Sequence, residues 1–219
     1  MEEQEIINIW KSQEAKIEQS LELNKKLLGE ILNQKAQSAL QSLAMFKTRG
    51  IIAAVIYLII LGFALSAAFI NYSSAANYFI VSIGAIFLIN IKALYDYIKH
   101  LIWIKNIDYD GSVTEIQSKL VKLKLSIFAH SRIIVLQLPF WSTFYLSGKW
   151  FPQTTGWGYI IFQTAFTALF TYVAFWLYKN QSIENADKKW FKVLIAGSGG
   201  KSLVKAMELY KELEGYKEG

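Results

Sequence analysis

The sequence has no cysteine and only two histidines among its 219 residues. The absence of cysteine excludes disulfides, thiolate metal sites and thiol chemistry. Neither His100 nor His130 has an acidic residue or a second histidine three or four positions further on, the spacing that would put two metal ligands on one helical face. We therefore predict no metal site, and we interpret both histidines as residues at a membrane boundary.

Charge is also missing from long apolar stretches of the chain. Between Ile51 and Ile70 there are twenty consecutive residues without a charged side chain, and at about 1.5 Å per residue they would cross a hydrocarbon layer of roughly 30 Å. Three more spans are predicted at about 77–98, 132–147 and 157–178. With 53% hydrophobic residues and a mean hydropathy of +0.27, the sequence predicts an all-α membrane protein with four transmembrane helices.

Two of these spans contain residues that disturb a simple apolar helix. The second is apolar from Asn77 to Ile91 and then continues through Lys92 and Asp96, which stand four residues apart and can pair. Its inner end is therefore expected at or beyond the membrane surface. The third contains Gln137 and Pro139, and a proline inside a span is expected to kink it or to leave it tilted or re-entrant.

The basic residues alternate between the segments that join the spans. Lysine and arginine number seven in 1–50, none in 71–76, seven in 92–132, one in 148–156 and eight in 179–219. Basic residues concentrate in cytoplasmic loops. We therefore predict a multi-pass membrane protein with both termini and the middle loop in the cytoplasm and only about fifteen residues outside.

This topology divides the chain into five parts. They are a cytoplasmic amphipathic helix and stalk at 1–50, transmembrane helices 1 and 2 at 51–98, a cytoplasmic basic amphipathic linker at 99–131, transmembrane helices 3 and 4 at 132–178, and a cytoplasmic helical tail at 179–219.

The linker contains the start signal of a helix. Ser112 and Glu115 match the capping box, in which a side-chain oxygen and a carboxylate satisfy the first free N–H groups. After it, four apolar residues fall on one helical face with lysines around them: Ile116, Leu120, Leu123 and Ile127. Such a helix either lies along the anionic inner leaflet or packs on another cytoplasmic helix.

The long segment before the first span has a narrow apolar stripe. At steps of three and four residues it places Ile7, Trp10, Glu14, Ile17, Leu21, Asn24, Leu28 and Ile31 on one line. Six of the eight are apolar, and the residues between them are mostly polar, which is the pattern of a helix that packs on a partner helix. We call these six the N-terminal seam and predict that they bind a partner: Ile7, Trp10, Ile17, Leu21, Leu28 and Ile31.

The seam is interrupted at Asn24 and fades after Ile31. An asparagine in a coiled-coil seam fixes register or oligomeric state at a cost in stability; alternatively, the helix is only partly engaged there. Residues 33–42 are mostly alanine, glutamine and serine. We therefore predict a contact surface at 7–31 and a stalk at 33–50 that leads into the first span.

No set of residues predicts catalysis or a cofactor. Gly197 to Ser202 resembles the end of a phosphate-binding loop, but the first glycine of that motif would have to stand at Ile195. Asn90, Gln137 and Gln163 are polar residues inside the predicted spans, and we interpret them as interhelical hydrogen-bonding groups. We predict that the protein is not an enzyme, has no cofactor and does not bind nucleic acid directly.

Three motifs carry a resemblance to a known group of proteins. They are the acidic opening from Glu3 to Lys11, the turn from Ile107 to Asp110, and the tail motif from Gly197 to Leu203. With the four spans, the chain resembles a group of bacterial inner-membrane proteins often encoded beside an extracytoplasmic-function sigma factor. The resemblance implies a membrane-tethered regulator of that factor, and it assigns no functional residues.

Three hypotheses for function follow. The favoured one is a membrane-tethered regulatory or scaffold protein whose N-terminal seam binds a cytoplasmic protein. The resemblance implies a sigma factor as that partner and an anti-sigma-factor-like role, although the sequence has no sizeable outer sensor domain of the kind that ordinary membrane anti-sigma factors have. The first alternative is a structural protein that self-associates into a homo-oligomer through the same helix. The second is a small transporter or channel with a path lined by Asn90, Gln137 or Gln163.

Overall fold

The computed structural model describes residues 2–109, 111–186, 188–196 and 199–218. Within these ranges the chain forms helices and no β-strand, and the all-α prediction is confirmed. The helices are α1 (Glu2–Ile70), α2 (Asn77–Lys105), α3 (Val113–Ile134), α4 (Leu138–Trp141), α5 (Trp157–Asn180), α6 (Lys189–Ala196) and α7 (Gly200–Glu218). Short 3-10 turns occupy Ser74–Ala76, Val135–Gln137 and Ile183–Asn185.

Four helical stretches are long and apolar enough to cross a membrane: Trp10–Ile70, Ser74–Lys105, Thr114–Trp141 and Trp157–Asn180. This confirms the prediction of four transmembrane helices preceded by a long N-terminal helix. The segment 1–50 and the first span belong to one helix, since α1 is continuous over 69 residues and contains no proline to interrupt it. At 1.5 Å per residue its length is roughly 100 Å.

The predicted third span, residues 132–147, consists of the end of α3, a 3-10 turn, the short helix α4 and the turns that follow it. Its helical part ends at Trp141, so the later residues of the predicted span 132–147 form turns. Pro139 stands at the start of α4, where its missing N–H costs no helical hydrogen bond. Among these turns, Gly148 donates its N–H to the carbonyl of Ala75 at 3.1 Å. This hydrogen bond joins the loop after α4 to the loop before α2 at one end of the bundle.

The opposite end of the bundle holds the largest buried core, which we call the terminal core. Here α1, α2, α3 and α7 meet, and α3 contributes the four apolar residues that the sequence placed on one face. The sequence predicted that α3 lies either along the inner leaflet or on another helix. In the structure its apolar face packs on other helices. The terminal core is formed by Leu32, Ala36, Leu40, Leu43, Ile104, Ile107, Ile116, Leu120, Leu123, Ile127, Leu203, Ala206 and Tyr210, among others.

The α1 segment predicted as a stalk supplies the centre of the terminal core. Its buried positions follow one another at steps of three and four residues: Leu32, Ala36, Leu40, Leu43 and Lys47. Alanine at position 36 lets the backbone of α7 approach closely, and each fully buried leucine contributes about 1.5–3 kcal/mol. A line of buried residues at helical spacing therefore runs through the stretch in which the apolar stripe fades, one position later than the spacing of the seam would place it.

Within the apolar spans little is buried. A small core contains Leu61, Ile83 and Ile86, whereas large apolar side chains such as Phe63, Leu88 and Ile161 are exposed. Exposed apolar surface of this kind is unfavourable in water and is expected of helices that face lipid tails. The arrangement supports a bilayer as the environment of the four long helices.

Tyr210 joins α7 to α1 by a hydrogen bond. Its hydroxyl donates to Asn33 Oδ1 at 3.1 Å, and the ring is buried in the terminal core. Burial raises the pKa of Tyr210 from 10.0 to about 12, and the nearby Tyr109 makes a smaller contribution in the same direction. The folded state therefore favours the neutral phenol.

This shift predicts a loss of stability at alkaline pH. Because the folded pKa lies above the unfolded one, the contribution of Tyr210 is fully present below pH 10 and is lost as the pH rises from 10 through 12. We expect the free energy of unfolding to fall over this range, and the Tyr210→Phe variant to show a shallower fall. Denaturant titrations at pH 9 and at pH 12 give the free energy of unfolding of both proteins. An equal fall between the two pH values for both proteins would contradict the raised pKa of Tyr210.

Candidate functional site

The N-terminal seam lies on the part of α1 that extends beyond the terminal core. Every side chain described between Ile7 and Leu27 is exposed, and this part of the helix is about 30 Å long. Trp10 is 75% exposed, Ile17 59% and Leu21 56%. Large apolar side chains in one line on an exposed helix make this surface a candidate for packing against another helix.

The six predicted seam residues do not share one environment. Ile7, Trp10, Ile17, Leu21 and Ile31 are exposed, whereas Leu28 is partly buried against the terminal core. Leu28 therefore marks the level at which α1 enters the bundle. The structure keeps the seam on one face of a continuous helix and leaves its outer part, from Ile7 to Leu21, uncovered by any described residue.

A second candidate, the buried polar cluster, lies next to the terminal core. It consists of Lys47 from α1, Asp96 and His100 from α2, and Ser126 and His130 from α3. Lys47, Asp96 and both histidines are buried. The two histidines, expected at a membrane boundary, thus lie side by side inside the protein, with ring centres 6.0 Å apart.

Asp96 is the acidic centre of the buried polar cluster. One of its carboxylate oxygens accepts a hydrogen bond from Lys92 Nζ, and the other lies 3.3 Å from His130 Nδ1. His100 Nε2 lies 2.9 Å from Ser126 Oγ. Lys47 Nζ is 4.5 Å from the centre of the Tyr97 ring, a cation–π distance.

The buried polar cluster favours one relative position of three helices, α1, α2 and α3. Removing charges from water is costly unless each is paired, so the cluster is stable only when α1, α2 and α3 adopt the register that brings the partners together. Among the described residues, no three histidine, aspartate or glutamate side chains are grouped so as to hold a metal ion. The contacts of the cluster join α2 to α3, through Asp96 with His130 and through His100 with Ser126.

The sequence contained a weak signal for this cluster. Asp96 stands four residues before His100, on the same face of α2, and Lys47 stands four residues after the buried Leu43. The missing information was the pairing of helices, since His130 comes from a segment 34 residues away from Asp96.

The polar residues inside the spans bind neighbouring elements. Asn90 donates to Gln137 Oε1 at 3.2 Å, which joins α2 to the 3-10 turn before α4. Gln163 Nε2 donates to the carbonyl of Ser142 at 2.6 Å, and its Oε1 accepts from the hydroxyl of Tyr145 at 2.9 Å. Ser142 follows directly after α4, so Gln163 satisfies a carbonyl near the point where the helix ends inside an apolar environment.

Replacing Gln163 by leucine tests this role. The change leaves the Ser142 carbonyl and the Tyr145 hydroxyl without their partner, and we expect it to lower the free energy of unfolding by about 1–2 kcal/mol. Thermal unfolding in detergent, followed by tryptophan fluorescence, measures the loss. Thr164→Val alters the next residue, which is exposed, and should change stability by less than about 0.5 kcal/mol. Equal effects of both variants would contradict the proposed role.

The fold and these two features define a class: an all-α protein with four helices able to cross a membrane and a long helix that leaves the bundle. No protein-family model, curated protein or solved structure matches the chain. The functional argument therefore rests on the surfaces of this chain.

Proposed function

We propose that the chain is a membrane-tethered regulatory protein whose N-terminal seam binds an amphipathic helix of a cytoplasmic protein. The observation that carries the proposal is the row of exposed apolar side chains on α1, at Ile7, Trp10, Ile17 and Leu21. The helix that bears them continues without a break into an apolar span. A protein bound to the seam would therefore be held at the membrane.

The charge pattern of the seam favours a different protein over a second copy. Two copies in one membrane present their N-terminal helices in parallel, because each is anchored at its C-terminal side. In register, the seam would then place Glu14 opposite Glu14. Like charges in one layer destabilise the pair. A partner helix with lysine or arginine opposite Glu14 would instead form an ion pair.

The location and the first partner to test come from the sequence. The alternation of basic residues supports a cytoplasmic position for both termini. The resemblance to bacterial inner-membrane proteins encoded beside extracytoplasmic-function sigma factors supports such a factor as partner, and the protein would then act as an anti-sigma-like regulator. Asn90, Gln137 and Gln163 use their side chains in the hydrogen bonds described above, and we propose no transport function.

Single engineered cysteines test the docking surface, because the chain has no other thiol. Ile17→Cys lies in the seam, and Gln19→Cys lies about 200° away on the same helix. With a photoactivated crosslinker in native membranes, we expect Ile17→Cys to capture a soluble protein through an amphipathic helix with a basic residue near Glu14. Gln19→Cys should capture none. Adducts between two copies through position 17, or equal capture from both positions, would overturn the proposal.

Substitutions in the seam give a second test on the captured partner. Because buried tryptophan and leucine anchors carry a large share of binding energy, Trp10→Ala and Leu21→Glu should each weaken binding at least tenfold. Glu14→Lys should do so as well by reversing the charge, whereas Glu22→Lys makes the same charge change outside the seam and should leave binding unchanged. Unchanged binding by Trp10→Ala and Leu21→Glu would show that the seam is not the docking surface.

A further inference from the structure

A basic cleft lies between α3, α6 and α7, on the side of the terminal core that faces the end of α5. Its volume is about 580 Å³. Four of the side chains that line it are lysines, and Glu208 is the one carboxylate among the described lining residues, so the lining has a net charge of +3. We call it the lysine cleft; its lysines are Lys124, Lys192, Lys201 and Lys205.

The rest of the lysine cleft is apolar. Phe128, Ile195 and Val204 lie between the charged residues. Phe128 and Ile195 belong to a small buried core in which the Phe128 and Phe191 rings contact edge to face at 4.8 Å. An inorganic anion would use only the lysines. A ligand with a negatively charged group and an apolar body would use both kinds of surface.

The lysine cleft lies close to the inner end of the fourth span. Trp190 of α6 packs against Trp176 of α5 with ring centres 5.1 Å apart and the rings tilted by 48°, and tryptophans are favoured at the headgroup level of a membrane. Arg132 donates to the carbonyl of Tyr178 at 2.9 Å, which fixes α3 to the same level. Phe128 lies one helical turn from Arg132, a distance of about 6 Å along α3. Because the headgroup layer is about 5–8 Å thick on each side, the cleft is within reach of the headgroups.

From this geometry we infer that the lysine cleft binds the phosphate headgroup of an anionic phospholipid of the adjacent leaflet. The lysines attract the phosphate, and the apolar floor receives the glycerol and the first methylene groups. Glu208 opposes the same ligand by repulsion. The site is separate from the N-terminal seam and independent of the proposed function.

Native mass spectrometry of the full-length chain in an uncharged detergent tests the inference, with dioctanoyl phosphatidylglycerol as the probe and dioctanoyl phosphatidylcholine as the uncharged comparison. The double variant Lys201→Gln and Lys205→Gln should bind phosphatidylglycerol roughly thirtyfold more weakly, from the usual contribution of two basic residues at an anionic surface. The variant Lys25→Gln and Lys26→Gln removes the same charge from exposed positions on α1 and should bind as the unchanged protein does.

Glu208→Gln supplies a result of opposite sign, because removal of the carboxylate should tighten binding of phosphatidylglycerol. A merely structural role of Glu208 would not produce tighter binding. Equal losses in the two lysine variants, equal binding of phosphatidylcholine, or weaker binding by Glu208→Gln would each overturn the inference. Displacement of phosphatidylglycerol by millimolar inorganic phosphate would identify free phosphate as the ligand and overturn the assignment to a lipid.

Discussion

Replacing Asp96 by alanine is expected to lower the free energy of unfolding by about 2–3 kcal/mol, the usual range for losing a hydrogen bond to a charged group. The carboxylate accepts a hydrogen bond from Lys92 and faces His130, and it also attracts Lys47. Lys47 is 0% exposed. Without Asp96 the cluster loses its one acidic group, and the ammonium group of Lys47 stays away from water.

A double-mutant cycle separates this effect from the simple loss of a side chain. Lys47→Met alone should be destabilising. The double variant Lys47→Met and Asp96→Leu should cost about 1–3 kcal/mol less than the sum of the two single changes, because it lacks both the buried ammonium group and the buried carboxylate. Denaturant titrations in detergent supply the four free energies. Glu18→Ala removes an exposed carboxylate from α1 and should change stability by less than about 0.5 kcal/mol. Additive effects of Lys47→Met and Asp96→Leu would contradict coupling within the cluster.

The four spans could be predicted because the physical requirement for them is strict. A helix that crosses a hydrocarbon layer needs about twenty apolar residues in a row, since charged side chains and free backbone groups are too costly there. Residues 51–70 and 157–178 meet this requirement by composition alone. The absence of proline from α1 likewise predicts one long helix from the N-terminal segment into the first span.

The terminal core was harder to predict because alanine gives a weak apolar signal. Ala36 and Ala39 are buried where α7 lies on α1, and small residues are suited to such close contacts. In the sequence they fall in a stretch with glutamine and serine, so the apolar stripe of the sequence ends at Ile31. Their burial depends on residues about 170 positions later, such as Tyr210, whose position follows from the tertiary fold.

The same limit applies to the candidate sites. The N-terminal seam is a local pattern on one helix, so its six residues could be found from spacing. The buried polar cluster and the lysine cleft each combine residues from three elements, and no spacing along the chain predicts that Lys47 meets Asp96 or that Lys124 faces Lys205. The polar residues of the spans are intermediate: Gln163 predicts an interhelical hydrogen bond, but the partner exists only because α4 ends at Trp141.

Replacing Gly199 by alanine is expected to loosen the contact of α7 with α1 by about 2–4 kcal/mol. Gly199 has a φ angle of +85°, a conformation that costs a residue with a side chain about 1–2 kcal/mol. The added methyl group would also overlap Leu43 Cδ1 and lie 3.1 Å from Phe46 Cδ1. Because Leu43 is fully buried in the terminal core, it cannot move aside freely, and overpacking of this kind costs about 1–3 kcal/mol.

Limited proteolysis measures the expected loosening. Trypsin can cleave after Lys201 and Lys205 in α7 when the helix opens, and a loss of about 2–4 kcal/mol should raise this rate at least tenfold if opening is faster than cleavage. Gly158→Ala is the matched control, because Gly158 lies in α5 with no atom within 4 Å of an added methyl group, and its cleavage pattern should equal that of the unchanged protein. A Gly199→Ala protein that is cleaved at the unchanged rate would show that α7 does not require the left-handed turn to reach α1. Faster cleavage confined to Gly199→Ala would instead show that this glycine holds the start of α7 against α1 at Leu43 and Phe46.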